Sequence, residues 1–326
     1  MLKILKNSLQ TTVQDLGRSG FQKYGVIASG AMDPYAHRLA NLLVGNKEQA
    51  ATLEITLVGP AIEFIEDTVI ALCGGDLSPK LDGQAAPMWR MLSVKKGNTL
   101  TFGEPRVGAR CYLAIAGGID VPEVMGSRST YMRAGIGGFQ GRSLEKGDEV
   151  PVGQISRQRL SSLLQEADND SDWLLPPVRY FEEPVIRMMA GRQFDLFDGA
   201  SKKRIFQEAF AVSSNSDRMG YRLEGPHLAL ENPAELISEA VAFGSVQVPV
   251  DGNPIVLLAD RQTTGGYPKI GQVASVDLPL ISQLKPGQQL RFKEISLADA
   301  QQRWIEQEQS IRQIKAAIKL KREEWT

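Results

Sequence analysis

The sequence predicts a mainly β protein with a few helices, organised as two barrel- or sandwich-like halves followed by a C-terminal helix. Three observations carry this reading. Short strand-like runs recur between Gly, Pro and Asp punctuation along the whole chain. No regular helices alternate with those runs, which argues against a doubly wound parallel sheet. A polar stretch near the middle separates two similar halves, and 326 residues suffice for two cores, since single cores stop growing near ~250 residues.

The first half is assigned to residues 1–156. Met1 to Ser8 alternates apolar and polar residues, so a strand begins at the start of the chain. That stretch lacks the long apolar centre of a signal peptide, which makes a cytoplasmic location the expectation. Further strands are expected at Leu53–Val58, Thr68–Leu72 and Arg110–Ile115. One helix is well specified: Asp33 can cap it, Pro34 suits its first turn and Gly45 can end it. Between them Ala36, Leu39, Ala40 and Leu43 fall at i, i+3, i+4 and i+7, which makes one apolar face.

Residues 157–178 are polar and end in Pro176-Pro177, a composition that suits an exposed connector. The second half, 179–295, carries strand-like runs at Glu235–Ser238, Ser245–Val248 and Ile255–Leu258, with a helical segment near Phe194 to Phe210. A faint repeat links the halves. Gly97–Phe102 and Gly287–Phe292 share Gly-x-x-Leu-x-Phe, and Lys146–Val150 is a third turn of the same kind; each reads as a turn entering a strand. From residue 296 to 326 Gln, Glu, Lys and Arg dominate. There Ala300, Trp304, Ile311, Ile314 and Ile318 sit near helical spacing, predicting an amphipathic helix that packs on its own chain or on a partner.

Composition narrows the chemistry. A net charge of -1 lacks the basic excess of a nucleic-acid binder, and no apolar run approaches the ~20 residues that span a bilayer. Cys73 and Cys111 each lie inside an apolar run and read as buried free thiols. Two histidines, His37 and His227, leave no zinc spacing and little scope for a Ser-His-Asp triad. There is no P-loop, no Gly-x-Ser-x-Gly elbow and no biotin-attachment sequence of the Ala-Met-Lys-Met type.

Four polar, glycine-rich segments stand out: Thr11–Gly20 leading to Ser29–Pro34, Gly117–Asp120 with Gly126–Thr130, Ser213–Gly220, and Asp260–Pro268. Each sets Asp, Arg, Ser or Thr beside residues that let a backbone approach closely. Such loops suit a small planar polar substrate. A guanidinium can grip a carboxylate or phosphate, backbone N–H groups can stabilise an oxyanion, and Asp217 or Asp260 can orient an amide or act as a base. The competing structural reading of each Asp–Arg turn is an ion pair with an Asx-turn.

Taken in order, these segments resemble the allophanate hydrolase subunit 2 family, also described as biotin-dependent carboxyltransferase subdomain A/B. The resemblance rests on Thr12–Arg18, Ser29–Asp33, Ala40–Asn46, Leu53–Thr56, Tyr112–Ile119, Gly126–Thr130, Ser216–Gly220 and Gln262–Pro268. It implies two cyclophilin-like β-barrel domains and work within a complex. The implied partners are a protein of the allophanate hydrolase subunit 1 type (KipI, the B subunit) and, among members acting on 5-oxoproline, a further A subunit. For those members it implies ATP-dependent opening of 5-oxo-L-proline to L-glutamate, with ATP used by the complex and no biotin attached to this chain. Two other functions stay open: a carboxyltransferase component of a urea-type carboxylase, and a binding-only antagonist of a KipI-type kinase inhibitor. The absence of fused biotin-linked regions favours the first of the three. Within the matched segments the candidate catalytic residues are Asp217, Arg218, Asp260, Thr264 and Tyr267. The candidate substrate-binding residues are Asp33, Arg128 and Ser129.

Overall fold

A computed structural model of the protein describes residues 1–169, 175–176, 178, 180, 183–232 and 236–323. The chain divides into two compact units, each discontinuous in sequence. Unit 1 comprises Met1–Arg18, Ser29–Arg179 and Lys315–Thr326; unit 2 comprises Ser19–Ala28 and Tyr180–Ile314. Among the described residues five α-helices accompany the strands: α1 (Pro34–Leu43), α2 (Arg157–Asn169), α3 (Gly199–Gln207), α4 (Leu278–Ser282) and α5 (Leu297–Glu323).

In unit 1 the N-terminal strand Leu2–Lys6 forms as its alternation predicts, between Glu149–Val150 and Ala61–Phe64 in a six-stranded sheet. A second, five-stranded sheet runs Gln10–Gln14, Thr52–Thr56, Val107–Ile115, Thr68–Asp76, Met91–Val94. The first half thus holds two sheets over one core. Leu2, Ile4, Ile62 and Phe64 from the first meet Leu53, Ile55, Leu72 and Leu113 from the second. The strand Val107–Ile115 is buried on both faces, which explains its unbroken apolar run. Its Cys111, Leu113 and Ile115 enter the shared core. Its Tyr112 points the other way, and the ring lies edge-on to that of His37 on α1, 6.2 Å between centroids.

Helix α1 forms as its signals require. The Asp33 carboxylate accepts from Ala36 N, Pro34 occupies the first turn, and Ala36, Leu39, Ala40 and Leu43 are all buried. Gly45 follows in the left-handed conformation that a residue with a Cβ adopts at a cost.

Unit 2 is a closed seven-stranded barrel in the order Val185–Ala190, Lys269–Val273, Ser245–Gln247, Ile255–Leu257, Gly220–Glu224, Ala209–Val212, Gln289–Glu294. A parallel pair closes it, with Ile186 opposite Phe292. Phe210 and Phe292 fill the interior, their rings 6.1 Å apart. The repeated turns do enter strands, Gly97 leading to Thr99–Thr101 and Gly287 to Gln289–Glu294. Both glycines adopt positive φ, 87° and 86°, which explains why glycine recurs there.

Three expectations need correction. The stretch 157–178 is not all exposed connector: Arg157–Asn169 is helix α2, which buries Leu163 and Ala167. Residues 170–174 and Pro177 of that stretch lie outside the described residues. Leu236–Ser238 is not a strand, and Ile237 is 93% exposed; Glu235 lies outside the described residues. Helix α5 exists but buries only part of its expected face. Ala300, Ile311 and Ile318 are covered while Trp304 stays 51% exposed. The helix is rich in charged side chains all round, so packing rather than a strong apolar stripe sets what it buries.

Candidate functional site

The four polar segments converge in pairs, each pair inside one unit. In unit 1 the loop after strand Gln10–Gln14 meets the loop 126–130 through Asp15. Its Oδ1 accepts from Gly17 N at 2.8 Å, Ser127 Oγ at 2.7 Å and Ser129 Oγ at 2.5 Å, and its Oδ2 from Arg128 N at 2.6 Å. Ser129 Oγ in turn accepts from Asp15 N at 3.0 Å. Arg18 adds a second tie, its guanidinium donating to Ser129 O at 2.5 Å. Four donors converging on one carboxylate tie the two loops together.

Behind this staple lies a buried polar chain. Tyr112 OH donates to Glu54 Oε2 at 2.8 Å and accepts from Asp33 N at 2.8 Å. Met32 N also donates to Glu54 Oε2, and Arg110 stands 3.8 Å from Glu54 Oε1. Burial pushes the Tyr112 phenol well above its usual range, with the Glu54 charge adding to the shift, so it acts here as a neutral hydroxyl. His37 is fully buried on α1. Its Nδ1 lies 2.9 Å from Thr52 Oγ1 and its Nε2 lies 3.4 Å from Asn41 Nδ2, so both ring nitrogens have polar neighbours. Burial lowers the imidazole to about 4, partly offset by Asp15 and Glu54, so His37 is neutral near pH 7. The thiols of Cys73 and Cys111 are likewise pushed up by burial, as expected for inert core cysteines.

In unit 2 the segments 213–220 and 260–268 meet through Arg218 and Asp260. Nε donates to Oδ2 at 2.9 Å and a terminal nitrogen to Oδ1 at 3.1 Å, both side chains being buried. Asp217 forms the Asx-turn weighed above, Oδ1 accepting from Met219 N at 2.8 Å and Gly220 N at 3.3 Å. Thr264 lies exposed in the short strand Thr264–Gly265, which pairs with Glu239–Ala240. Tyr267 is 49% exposed. Both stand outside the hydrogen bonds of the Arg218–Asp260 pair.

Of the candidate substrate-binding residues, Arg128 is part-exposed, held by Val121 O, Glu123 and Asp120, and lines a cavity of about 1020 Å³. Asp33 and Ser129 are fully buried. Gln22, Lys47 and Arg159 also frame these regions without any sequence signal having marked them, and Arg261 belongs to the polar segment Asp260–Pro268. Gln22 donates to Thr263 O at 3.0 Å beside Thr264, and the Arg261 guanidinium sits over Phe243 at 5.8 Å. Among the described residues no group of three or more His, Cys, Asp or Glu is arranged to hold a metal ion, and no helix is long and apolar enough to cross a membrane.

A family described as carboxyltransferase domain, subdomain A and B, matches residues 24–294. The chain belongs to this carboxyltransferase family. It is 43% identical to the 5-oxoprolinase C subunit of Escherichia coli over 94% of this chain and 97% of that protein. It is 36% identical to the 5-oxoprolinase C subunit of Haemophilus influenzae over 92% and 93%. Among solved structures, the urea amidolyase of K. lactis superposes with a TM-score of 0.83 at 32% identity, covering 95% of this chain but 20% of that longer one.

Proposed function

We propose that this chain is the C subunit of an ATP-dependent 5-oxoprolinase, working in the cytoplasm with an A subunit and with a B subunit of the allophanate hydrolase subunit 1 type. The observation that carries this is the 43% identity that runs almost end to end with a 5-oxoprolinase C subunit. The chemistry fits the need for several subunits. A five-membered lactam is stabilised by amide resonance. Transfer of a phosphoryl group from ATP to its oxygen makes the ring carbon electrophilic; one water adds there and the C–N bond breaks to leave an acyl phosphate, which a second water hydrolyses to the carboxylate and free phosphate.

Burial divides the candidate residues by role. Arg128 in unit 1, and separately Thr264 and Tyr267 in unit 2, have solvent-facing side chains and are proposed as the ligand-contacting residues of their own units. Asp33, Ser129, Arg218 and Asp260 are buried, and with Asp217 they are proposed to hold the loops that carry those side chains. Reconstitution with the A and B subunits tests the assignment: glutamate release from 5-oxoproline and ATP should require this chain, and release without it would overturn the reading. A second reading, the carboxyltransferase part of a urea-type carboxylase, is favoured by the TM-score of 0.83 with K. lactis urea amidolyase. It predicts bicarbonate- and biotin-dependent turnover of a urea-like amide instead.

A further inference from the structure

The cavity of about 1020 Å³ in unit 1 lies at the upper end of ordinary ligand sites, roughly 300–1,000 Å³. Its wall is charged unevenly. Lys47, Arg128, Arg159 and Lys315 line it against only two acids, Asp15 and Glu123. Both acids are already engaged, Asp15 by its four donors and Glu123 by Arg128 at 2.7 Å. Lys315 is paired with Glu48 at 3.0 Å. The surplus positive charge therefore sits on Lys47, which has no ion-pair partner among the described residues, and on Arg159, whose guanidinium donates to the Gly45 carbonyl rather than to an acid. Gly126, with φ of 72° and open space where a Cβ would stand, presents bare backbone to the same space. Backbone without a side chain beside two cations that face no carboxylate suits a tetrahedral oxyanion that takes several donors at once.

We propose that this cavity binds the phosphoryl group of an anionic ligand. The proposal rests on the geometry of unit 1 and not on the oxoprolinase reading. Two sources share the chemistry, a nucleotide and free phosphate. Calorimetric titration of the full chain with ATP, ADP, inorganic phosphate and adenosine separates them. Binding is expected for at least one phosphate ligand and not for adenosine, and it should weaken as salt rises. Tight ATP or ADP with weak phosphate identifies a nucleotide site; the reverse identifies free phosphate. Lys47→Gln and Arg159→Gln should each weaken binding about tenfold or more, the loss of one charged hydrogen bond. Lys47 is exposed, so its variant keeps the test readable if Arg159→Gln disturbs the fold. Absence of binding by every phosphate ligand, or dissociation constants unchanged in Lys47→Gln, would overturn the proposal. Phosphate binding without complex activity would instead count against the oxoprolinase reading alone.

Discussion

Arg218 and Asp260 join the two loops of unit 2 twice over. Their side chains form a two-point ion pair at 2.9 and 3.1 Å, and Asp260 N donates to Arg218 O at 2.8 Å. Both side chains are almost wholly buried, so removing one partner takes a two-point ion pair from a site that water scarcely reaches. Arg218→Ala or Asp260→Ala should cost about 3–5 kcal/mol in urea unfolding. Arg218→Lys should cost less but not recover fully, because an ammonium lacks the planar fork. Wild-type stability in either alanine variant would show that the pair does not hold the loops.

Tyr112 bridges Asp33 N and Glu54 in the interior of unit 1. Tyr112→Phe keeps the ring and removes both bonds, leaving a buried N–H without that acceptor. A loss of about 1–3 kcal/mol is expected in chemical denaturation.

His37 couples stability to pH. Its folded value of about 4 lies below the ordinary 6.5, so the unfolded chain binds a proton over a range where the folded one does not. Its contribution is complete above pH 6.5 and is lost as pH falls toward 4, by roughly 3 kcal/mol in all. Comparing urea midpoints at pH 7, 6 and 5 isolates this effect: the wild type should fall more steeply than His37→Gln. Parallel pH profiles would contradict it.

Thr264 and Tyr267 are exposed, so Thr264→Val and Tyr267→Phe should change stability by no more than about 0.5 kcal/mol. If they meet substrate as proposed, the reconstituted complex should lose activity while melting temperatures hold. Unchanged kcat/KM in both would remove them from the site.

How much of this was legible depends on whether the signal was local. The α1 cap at Asp33, its apolar face and the turns at Gly97 and Gly287 are short-range devices, and the sequence states them openly. Helix α2 was missed although Leu160, Leu163, Leu164 and Ala167 fall at i, i+3, i+4 and i+7; its acidic and polar neighbours masked that spacing. The pairing of Arg218 with Asp260 spans 42 residues and that of Ser129 with Asp15 spans 114, so the segments could be singled out but not matched to one another. Lys47 and Arg159 were invisible because a lone cation on a loop or helix looks the same whether or not a cavity lies beside it.

The last turn of α5 reaches the end of α1. Arg322 donates to Leu43 O at 2.7 Å and to Glu166 at 3.0 Å, and Lys315 to Glu48 at 3.0 Å. Leu43 and Arg322 are 279 residues apart in sequence. On a ribosome adding roughly 5–20 residues per second, α1 therefore waits on the order of fifteen to sixty seconds for the arginine that covers its terminal carbonyl. Unit 1 begins to emerge first and is completed last.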